Sequence, residues 1–410
     1  MHINQVYRER VTANNGPHKW WHHRWFKIIG IFVIVLIVFA VILALLLNFV
    51  VFAPKKLETS TTAATSLSPQ TTATTTTQQP GWSVTGNMNN ARYLHTASVL
   101  SNGKVLVTGG LGNSGMLNSA ELYDPSTGIW TTTSNMSVAR FHHTASVLSN
   151  EKVLVTGGYD NGYLNNTELY DPSAGTWTTT GNMNNARSFH TASLLSDGLV
   201  LVTGGESRGA YLNSAELYNP TTGIWTTTSN MTSIRYQHTS SVFSSGKVLV
   251  TGGGTRGAYL NSAVLYDPST GIWKTTGNMT NRREYHTASV LSNGIVLVTG
   301  GNNAIPYLNT AELYDPSTGT WTTTSNMINA RSFHTASVLL NGKVLVTNGW
   351  NGYFYLNTAE LYDPSTDTWT TTGKTNNARD YHTASVLSNG KVLVTGGYNG
   401  HIALDSAELY

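Results

Sequence analysis

Residues 95–130 read HTASVLSNGKVLVTGGLGNSGMLNSAELYDPSTGIW, and this pattern recurs along the rest of the chain. The Trp that ends the stretch has six counterparts, spaced by 48 residues in every case but one, where the spacing is 47. The seven positions are Trp82, Trp130, Trp177, Trp225, Trp273, Trp321 and Trp369. A Gly-Gly pair keeps the same period in six copies, and one copy has Asn348-Gly349 instead. Such a period, made of short β segments, predicts a β-propeller with one blade per repeat.

Each copy divides into four predicted strands, here called a, b, c and d. In the first copy they cover residues 95–100, 105–108, 117–123 and 129–133. Asn102-Gly103 joins strands a and b, and this dipeptide predicts a tight hairpin in which both residues have a positive φ. Strand b is apolar at successive positions, as expected for a strand covered on both faces by neighbouring blades.

The order of the copies predicts how the ring closes. Seven a-b-c units follow one another, but the first d strand, around Trp82, precedes them all, and the last unit stops at Tyr410. The N-terminal d strand is therefore expected to pair with the last unit, which would leave no open edge. Residues 81–410 are thus predicted to be one all-β, seven-bladed propeller.

The residues before the repeats predict a membrane anchor. Residues 28–53 form an apolar run that is long enough to cross a bilayer as a transmembrane helix. Residues 1–27 contain five Lys and Arg against one Glu, and this positive excess predicts that the tail lies in the cytoplasm and the propeller outside the cell. Residues 54–80 are rich in Thr and Ser and predict an extended stalk. The alternatives are a signal peptide with an unusual N-terminal region and retention in the lumen of the secretory pathway.

Composition excludes several classes of function. The chain has no Cys, which rules out disulfides, thiolate zinc sites and cysteine nucleophiles. From residue 81 onward 17 Lys and Arg face 19 Asp and Glu, so the propeller is about neutral and does not predict a nucleic-acid surface. N-glycosylation motifs stand at four positions on the predicted outer domain: Asn135, Asn165, Asn230 and Asn278.

The repeats resemble the kelch family. The motif residues are Gly109-Gly110 after strand b, Tyr123 in strand c and Trp130 in strand d. The sequence of the copies is similar to kelch repeats of the galactose oxidase type. The resemblance implies a propeller used most often as a binding platform. Enzymes of the oxidase branch use copper and a Tyr cross-linked to a Cys, and a chain without Cys cannot form that cofactor. The resemblance therefore does not extend to oxidase activity.

Every copy carries Arg-x-x-His before strand a, beginning with Arg92 and His95. Seven His around the channel mouth are compatible with metal binding, but repeated inter-blade hydrogen bonds explain a residue present in every blade better. Six copies have a Glu in strand c, and the fourth has Val264, which suggests a repeated Arg–carboxylate pair. The alternative for those Glu residues is a solvated outer face.

The copies differ most in the b–c loops and next in the d–a segments, which share one face of a propeller. We call it the loop face and expect binding there, although loops also vary where they have no role. Trp350, Tyr353 and Phe354 in one loop and Tyr398 in the next predict a ligand site, with Arg208 and Arg256 as a second candidate. The predicted function is a non-catalytic module for protein or carbohydrate binding and adhesion, with no cofactor and no metal. The alternatives are a metal-dependent hydrolase or lyase that uses the His/Arg ring, and a self-associating surface coat protein.

Overall fold

Seven four-stranded antiparallel sheets follow one another in the computed structural model of this chain, which describes residues 81–304 and 307–410. The prediction of an all-β, seven-bladed propeller is confirmed. The cytoplasmic tail, the membrane span at 28–53 and the stalk that the sequence predicts lie outside the described residues. Within those residues, no helix has the length and apolar character needed to cross a membrane.

The strands repeat with nearly constant bounds, and blades 1 to 7 are numbered by strand a. Strand a comprises Thr96–Val99, Thr144–Val147, Thr191–Leu194, Thr239–Val242, Thr287–Val290, Thr335–Val338 and Thr383–Val386. Strand b comprises Val105–Thr108, Val153–Thr156, Val200–Thr203, Val248–Thr251, Val296–Thr299, Val344–Thr347 and Val392–Thr395. Strand c comprises Ala120–Asp124, Thr167–Asp171, Ala215–Asn219, Ala263–Asp267, Ala311–Asp315, Ala359–Asp363 and Ala407–Leu409. Strand d of blades 1 to 6 comprises Ile129–Thr132, Thr176–Thr179, Ile224–Thr227, Ile272–Thr275, Thr320–Thr323 and Thr368–Thr371.

The core lies between the blades. All four residues of strand b in blade 1, Val105–Thr108, are buried, because each face of the sheet meets a neighbouring blade. Between blades 1 and 2, for example, Leu106 and Ala120 form a buried cluster with Val153 and Tyr170. Each pair of adjacent blades forms such an interface, so the hydrophobic core is a ring of sheet-to-sheet contacts.

Blade 7 takes its outer strand from the other end of the described chain. Ser83–Val84 pairs antiparallel with strand c of that blade, Ser83 opposite Leu409 and Val84 opposite Glu408. The indole of Trp82 packs against Tyr410 with ring centroids 5.3 Å apart, and its Nε1 donates to the Gly373 carbonyl at 2.8 Å. The other six Trp residues make the same kind of bond to the preceding blade, so the ring of Trp bonds has no gap.

The a–b hairpins differ from the sequence prediction. Within the a–b turn of blade 1 only Gly103 has a positive φ, +79°, and Asn102 stays in the ordinary region. The Asn102 side chain instead accepts a hydrogen bond from the Lys104 backbone N–H at 3.0 Å, and Leu100 pairs with Lys104. The prediction that both turn residues have a positive φ is therefore wrong, because the loop is longer than a two-residue turn and needs one left-handed residue at its end.

The Gly-Gly pair is required by close packing, and the one departure from it is compensated. Gly109 has φ +61°, and a Cβ there would lie 2.6 Å from the Arg140 carbonyl and 3.2 Å from the Met136 methyl. In blade 6 Asn348 stands at this position with φ +58°, and Thr375 stands where the other copies have Met. The Asn348 amide donates to Thr375 Oγ1 at 2.6 Å. The shorter Thr makes room for the Asn side chain and also accepts a hydrogen bond from its amide nitrogen.

Candidate functional site

A ring of seven residues surrounds the propeller axis on the loop face. Each is the residue directly before the repeated His, and each has a left-handed backbone with φ between 48° and 56°. In every case the backbone N–H donates to the carbonyl of the equivalent residue in the preceding blade, at 3.0–3.4 Å. We call these residues the axial ring: Leu94, His142, Phe189, Gln237, Tyr285, Phe333 and Tyr381. Non-glycine residues rarely adopt this conformation, and here it closes a circuit of seven hydrogen bonds.

The side chains of the axial ring form a funnel that is mostly aromatic. Six of them, with the His side chains beneath, line a cavity of about 280 Å³. Tyr285 and Phe333 have centroids 4.0 Å apart, and Phe333 and Tyr381 have centroids 4.4 Å apart. On the opposite side His142 stacks on Phe189 at 3.7 Å. The Gln237 amide donates a hydrogen bond to the Tyr285 hydroxyl. The funnel offers flat apolar faces with a few polar groups, as small binding sites usually do.

The seven repeated His residues line the channel below the funnel, a space of about 530 Å³. Each Nε2 is bonded to the Thr that begins strand a of the preceding blade; His143, for example, lies 3.0 Å from Thr96 Oγ1, and His95 lies 2.9 Å from Thr383 Oγ1. Burial, with the neighbouring Arg charges, lowers the pKa of His95 to about 3. The imidazoles are therefore neutral at pH 7 and join adjacent blades. Among residues 81–304 and 307–410, no group of three or more His, Cys, Asp or Glu is arranged to hold a metal.

The repeated Arg residues lie inside the blades. Arg92 is fully buried, and its guanidinium donates to the Gly109 carbonyl at 2.8 Å and to Glu121 at 2.8 Å. Burial opposes ionisation of Glu121, but hydrogen bonds from the Asn89 N–H and the Arg92 charge keep its pKa below the usual value. Equivalent Arg–Glu pairs occur in all blades except the fourth, at 2.6–2.8 Å. Tyr123 and Trp130 also have internal roles, since both side chains bond to the segment that precedes blade 1.

Two carboxyl groups beside the axial ring break the repeat. Glu284 and Asp380 are 6% and 4% exposed, where other copies have Tyr, Phe or Ser. Glu284 Oε1 accepts a 3.3 Å hydrogen bond from Asn302, while Glu284 Oε2 and Asp380 Oδ1 have no partner among the described residues. Burial raises the pKa of each carboxyl to about 7. Both groups are poised to bind a proton or a positively charged group at neutral pH.

The predicted aromatic site divides into two parts. Trp350 and Tyr398 are half-buried and are connected through Tyr355, at centroid distances of 4.6 and 5.9 Å. Tyr398 then packs on Tyr93 at 5.1 Å, and Tyr93 lies 6.4 Å from Tyr381 of the axial ring. We call these five residues the aromatic arc. It runs from blade 6 across blade 7 to blade 1 and into the funnel.

The other predicted site residues lie apart from the aromatic arc. Tyr353 and Phe354 form the tip of the blade 6 loop and are 79% and 72% exposed. Arg208 and Arg256 are exposed at the tips of short b–c hairpins in blades 3 and 4, which blades 2 and 5 separate from the arc. The structure thus brings Trp350 and Tyr398 together with the axis, and it places the two Arg residues elsewhere on the loop face.

The glycosylation motifs differ in accessibility. Asn135, Asn230 and Asn278 are exposed. Asn165 is half-buried, and its Nδ2 donates to the Met183 carbonyl at 3.0 Å, a bond that the equivalent Asn makes in other blades. A glycan on that nitrogen would displace a repeated structural contact.

Comparisons with known proteins agree with this architecture. The chain matches the family model described as the KLHDC2/KLHL20/DRC7 Kelch-repeats domain over residues 59–205, 131–278 and 189–397. No curated protein matches the chain in sequence. Among solved structures, a fungal alcohol oxidase of the AA5 family, in complex with copper, is similar with a TM-score of 0.67 and 19% identity, over 80% of this chain and 75% of that chain. At this identity the similarity shows the propeller fold. The residues present here do not fit a copper-radical site, since there is no Cys and the ring imidazoles are bonded to Thr.

Proposed function

Because the chain belongs to the kelch-repeat family of β-propellers, we propose that it is a non-catalytic module that binds a protein partner on its loop face. Kelch propellers typically act as protein-interaction modules. The observation that carries the proposal is the aromatic arc, which leads from the variable loops of blades 6 and 7 into the axial funnel. Aromatic side chains dominate the binding energy of protein interfaces.

The chemistry of the arc favours a basic side chain on the partner. Asp380 lies beside the arc, since its backbone pairs with that of Tyr398 through hydrogen bonds of 3.0 and 2.9 Å and it directly precedes Tyr381. One of its carboxylate oxygens has no partner among the described residues. Aromatic faces attract Lys and Arg, and a buried carboxylate adds a charge-assisted hydrogen bond. The preferred ligand is therefore a peptide segment or loop that presents Lys or Arg.

The bonding of the His ring supports a non-catalytic role. A general base needs a pKa near the working pH. The Nε2 atoms are bonded to Thr hydroxyls, and burial holds the pKa of the ring His residues well below 6.5. This arrangement suits cohesion between blades better than proton transfer.

Binding can be tested with the purified protein on arrays of cell-surface proteins and of peptides, with a glycan array in parallel. Trp350→Ala and Asp380→Asn should each weaken capture of the partner tenfold or more, since truncating a central anchor costs about 2 kcal/mol. Arg208→Ala, at a hairpin tip outside the arc, is the matched control and should bind as the parent does. Equal binding by all variants would move the site away from the arc. Binding only to glycans would favour the carbohydrate alternative.

We further propose that the propeller is displayed outside the cell on a membrane anchor. The positive residues before the apolar run at 28–53 and the exposed motifs at Asn135, Asn230 and Asn278 support this topology. Enzymatic deglycosylation should increase gel mobility, and protease added to intact cells should digest the repeats. Protection of the repeats together with an unchanged mobility would contradict the topology.

A further inference from the structure

Six blades hold a carboxylate in one repeated setting. In blade 5 the Glu312 side chain accepts from the Arg283 guanidinium at 2.7 Å and from the backbone N–H groups of Thr280 and Asn281 at 2.6 and 3.1 Å. Three donors thus converge on one anionic group that lies at the start of strand c. The amide pair belongs to the d–a segment of the loop face, just before the Arg.

Blade 4 has the donors of this setting but not the acceptor. Val264 replaces the Glu, in the same register between Val250 and Thr275, and is 1% exposed. Arg235 is as buried as the other repeated Arg residues, and among the described residues its guanidinium bonds only to the Gly252 carbonyl and to Ser262. No carboxylate within residues 81–304 and 307–410 forms an ion pair with it.

The two amides of blade 4 are also without acceptors. Thr232 and Ser233 correspond to Thr280 and Asn281 of blade 5, and their N–H groups make no hydrogen bond to any described residue. A buried guanidinium and two N–H groups, one of them on the exposed Thr232, therefore lie where other blades hold a carboxylate, and the apolar Val264 side chain cannot accept a hydrogen bond from them. A buried charge that has lost its partner is strongly destabilising, so a negative charge at this position would stabilise the blade.

We propose that blade 4 binds a small inorganic anion, chloride, between the guanidinium of Arg235 and the N–H groups of Thr232 and Ser233. The site presents donors and one positive charge, which selects an anion over a cation or a neutral group. It replaces a single carboxylate and is bounded by the Val264 side chain, which favours a compact monovalent ion over a phosphate. Thr232 is exposed, so the ion reaches the site from the loop face without opening the blade.

The burial of Arg235 agrees with this assignment. It lowers the pKa of Arg235 to about 10, and no carboxylate acts in the opposite direction as it does for Arg283. A bound anion would supply the charge that the chain itself provides in the other blades. The ion would thus be a structural part of the propeller, independent of the partner that the loop face binds.

Urea unfolding of the purified full-length protein tests the proposal, with sodium chloride replacing sodium gluconate at constant ionic strength. Chloride at 100 times its dissociation constant should shift the folding equilibrium about 100-fold toward the native state. Val264→Glu should restore the Arg–carboxylate pair and abolish this chloride dependence. Glu312→Val is the matched reverse change and should add a second chloride dependence in blade 5.

A crystal soaked in sodium bromide gives a second readout that does not depend on stability. Bromide should appear within hydrogen-bond distance of Arg235 and of the amides of Thr232 and Ser233. Unfolding that is identical in both salts, chloride dependence that persists in Val264→Glu, or bromide found only at other places would overturn the proposal.

Discussion

Acidification is expected to unfold the propeller between about pH 5 and pH 6, because of the repeated His residues. In the folded protein burial holds the pKa of each ring imidazole well below 6.5, so none binds a proton at pH 5. In the unfolded chain each His has its ordinary pKa of about 6.5 and is almost fully protonated at pH 5. The folded state therefore binds fewer protons, and its stability is lost as the pH falls below 6.5.

The size of this loss of stability depends on the number of blades, since each blade contributes one His. Each His lowers the free energy of unfolding by about 2 kcal/mol at pH 5, which makes about 14 kcal/mol for the ring. Glu284 and Asp380 act in the opposite direction, since their raised pKa of about 7 lets the folded state bind protons that the unfolded chain does not hold between pH 7 and about pH 4. These two carboxyls raise the free energy of unfolding at pH 5 by about 5 kcal/mol. The net decrease of about 9 kcal/mol is comparable with the whole stability of a typical domain.

Urea titrations followed by Trp fluorescence at pH 8, 7, 6 and 5 measure this dependence. His190→Gln keeps a donor near the Thr hydroxyl but cannot titrate, and it should reduce the slope below pH 6.5 by about 1.4 kcal/mol per pH unit. His401→Gln is the matched control, because it makes the same substitution at an exposed loop position outside the ring. A protein that keeps its full stability down to pH 4.5 would refute the argument that the seven imidazoles are buried neutral.

Three further changes test other parts of the fold. Thr375→Met alone should destabilise blade 6 by about 1–3 kcal/mol through overpacking against Asn348, and adding Asn348→Gly should recover most of the loss, as a double-mutant cycle in urea would show. Trp82→Ala removes the closing Trp contact and should cost about 3 kcal/mol with increased aggregation in light scattering; an unchanged, monomeric variant would show that closure does not depend on it. If the protein is glycosylated as proposed, Asn230→Gln should increase gel mobility whereas Asn165→Gln should not, since the Asn165 amide is engaged in the fold.

The sequence predicts those features that recur with the repeat. The Trp period, the Gly-Gly pair and the apolar strand b lead to seven blades, and the Arg and Glu positions lead to the buried pairs that the structure contains. The left-handed axial ring could not be predicted, because its residue types vary from Leu94 to Gln237 and only the closed hydrogen-bond circuit explains their backbone. The contact of Tyr355 with both Trp350 and Tyr398 could not be predicted either, since it depends on the distance between two loops.

The buried carboxyls are visible in the sequence, but their burial is not. Glu284 and Asp380 are the only acids in the Arg-x-x-His segments, and a charged residue at one position of a repeat indicates either a special contact or a site. Whether such a residue faces solvent or lies buried depends on the packing of the neighbouring loop, which the repeat pattern does not determine.

The closing strand also decides how the molecule responds to force. Ser83–Val84 is joined to blade 7 by two residue pairs, whereas strand d of blade 1 is joined to its neighbour by four. Tension that reaches the propeller through residue 81 acts first on this short joint. Its rupture would free Trp82 from the cluster between blades 6 and 7 and turn the closed ring into an arc with an exposed edge. The joint is therefore the mechanical weak link of the ring, and a pull from the N-terminal side would open the propeller there before any other blade yields.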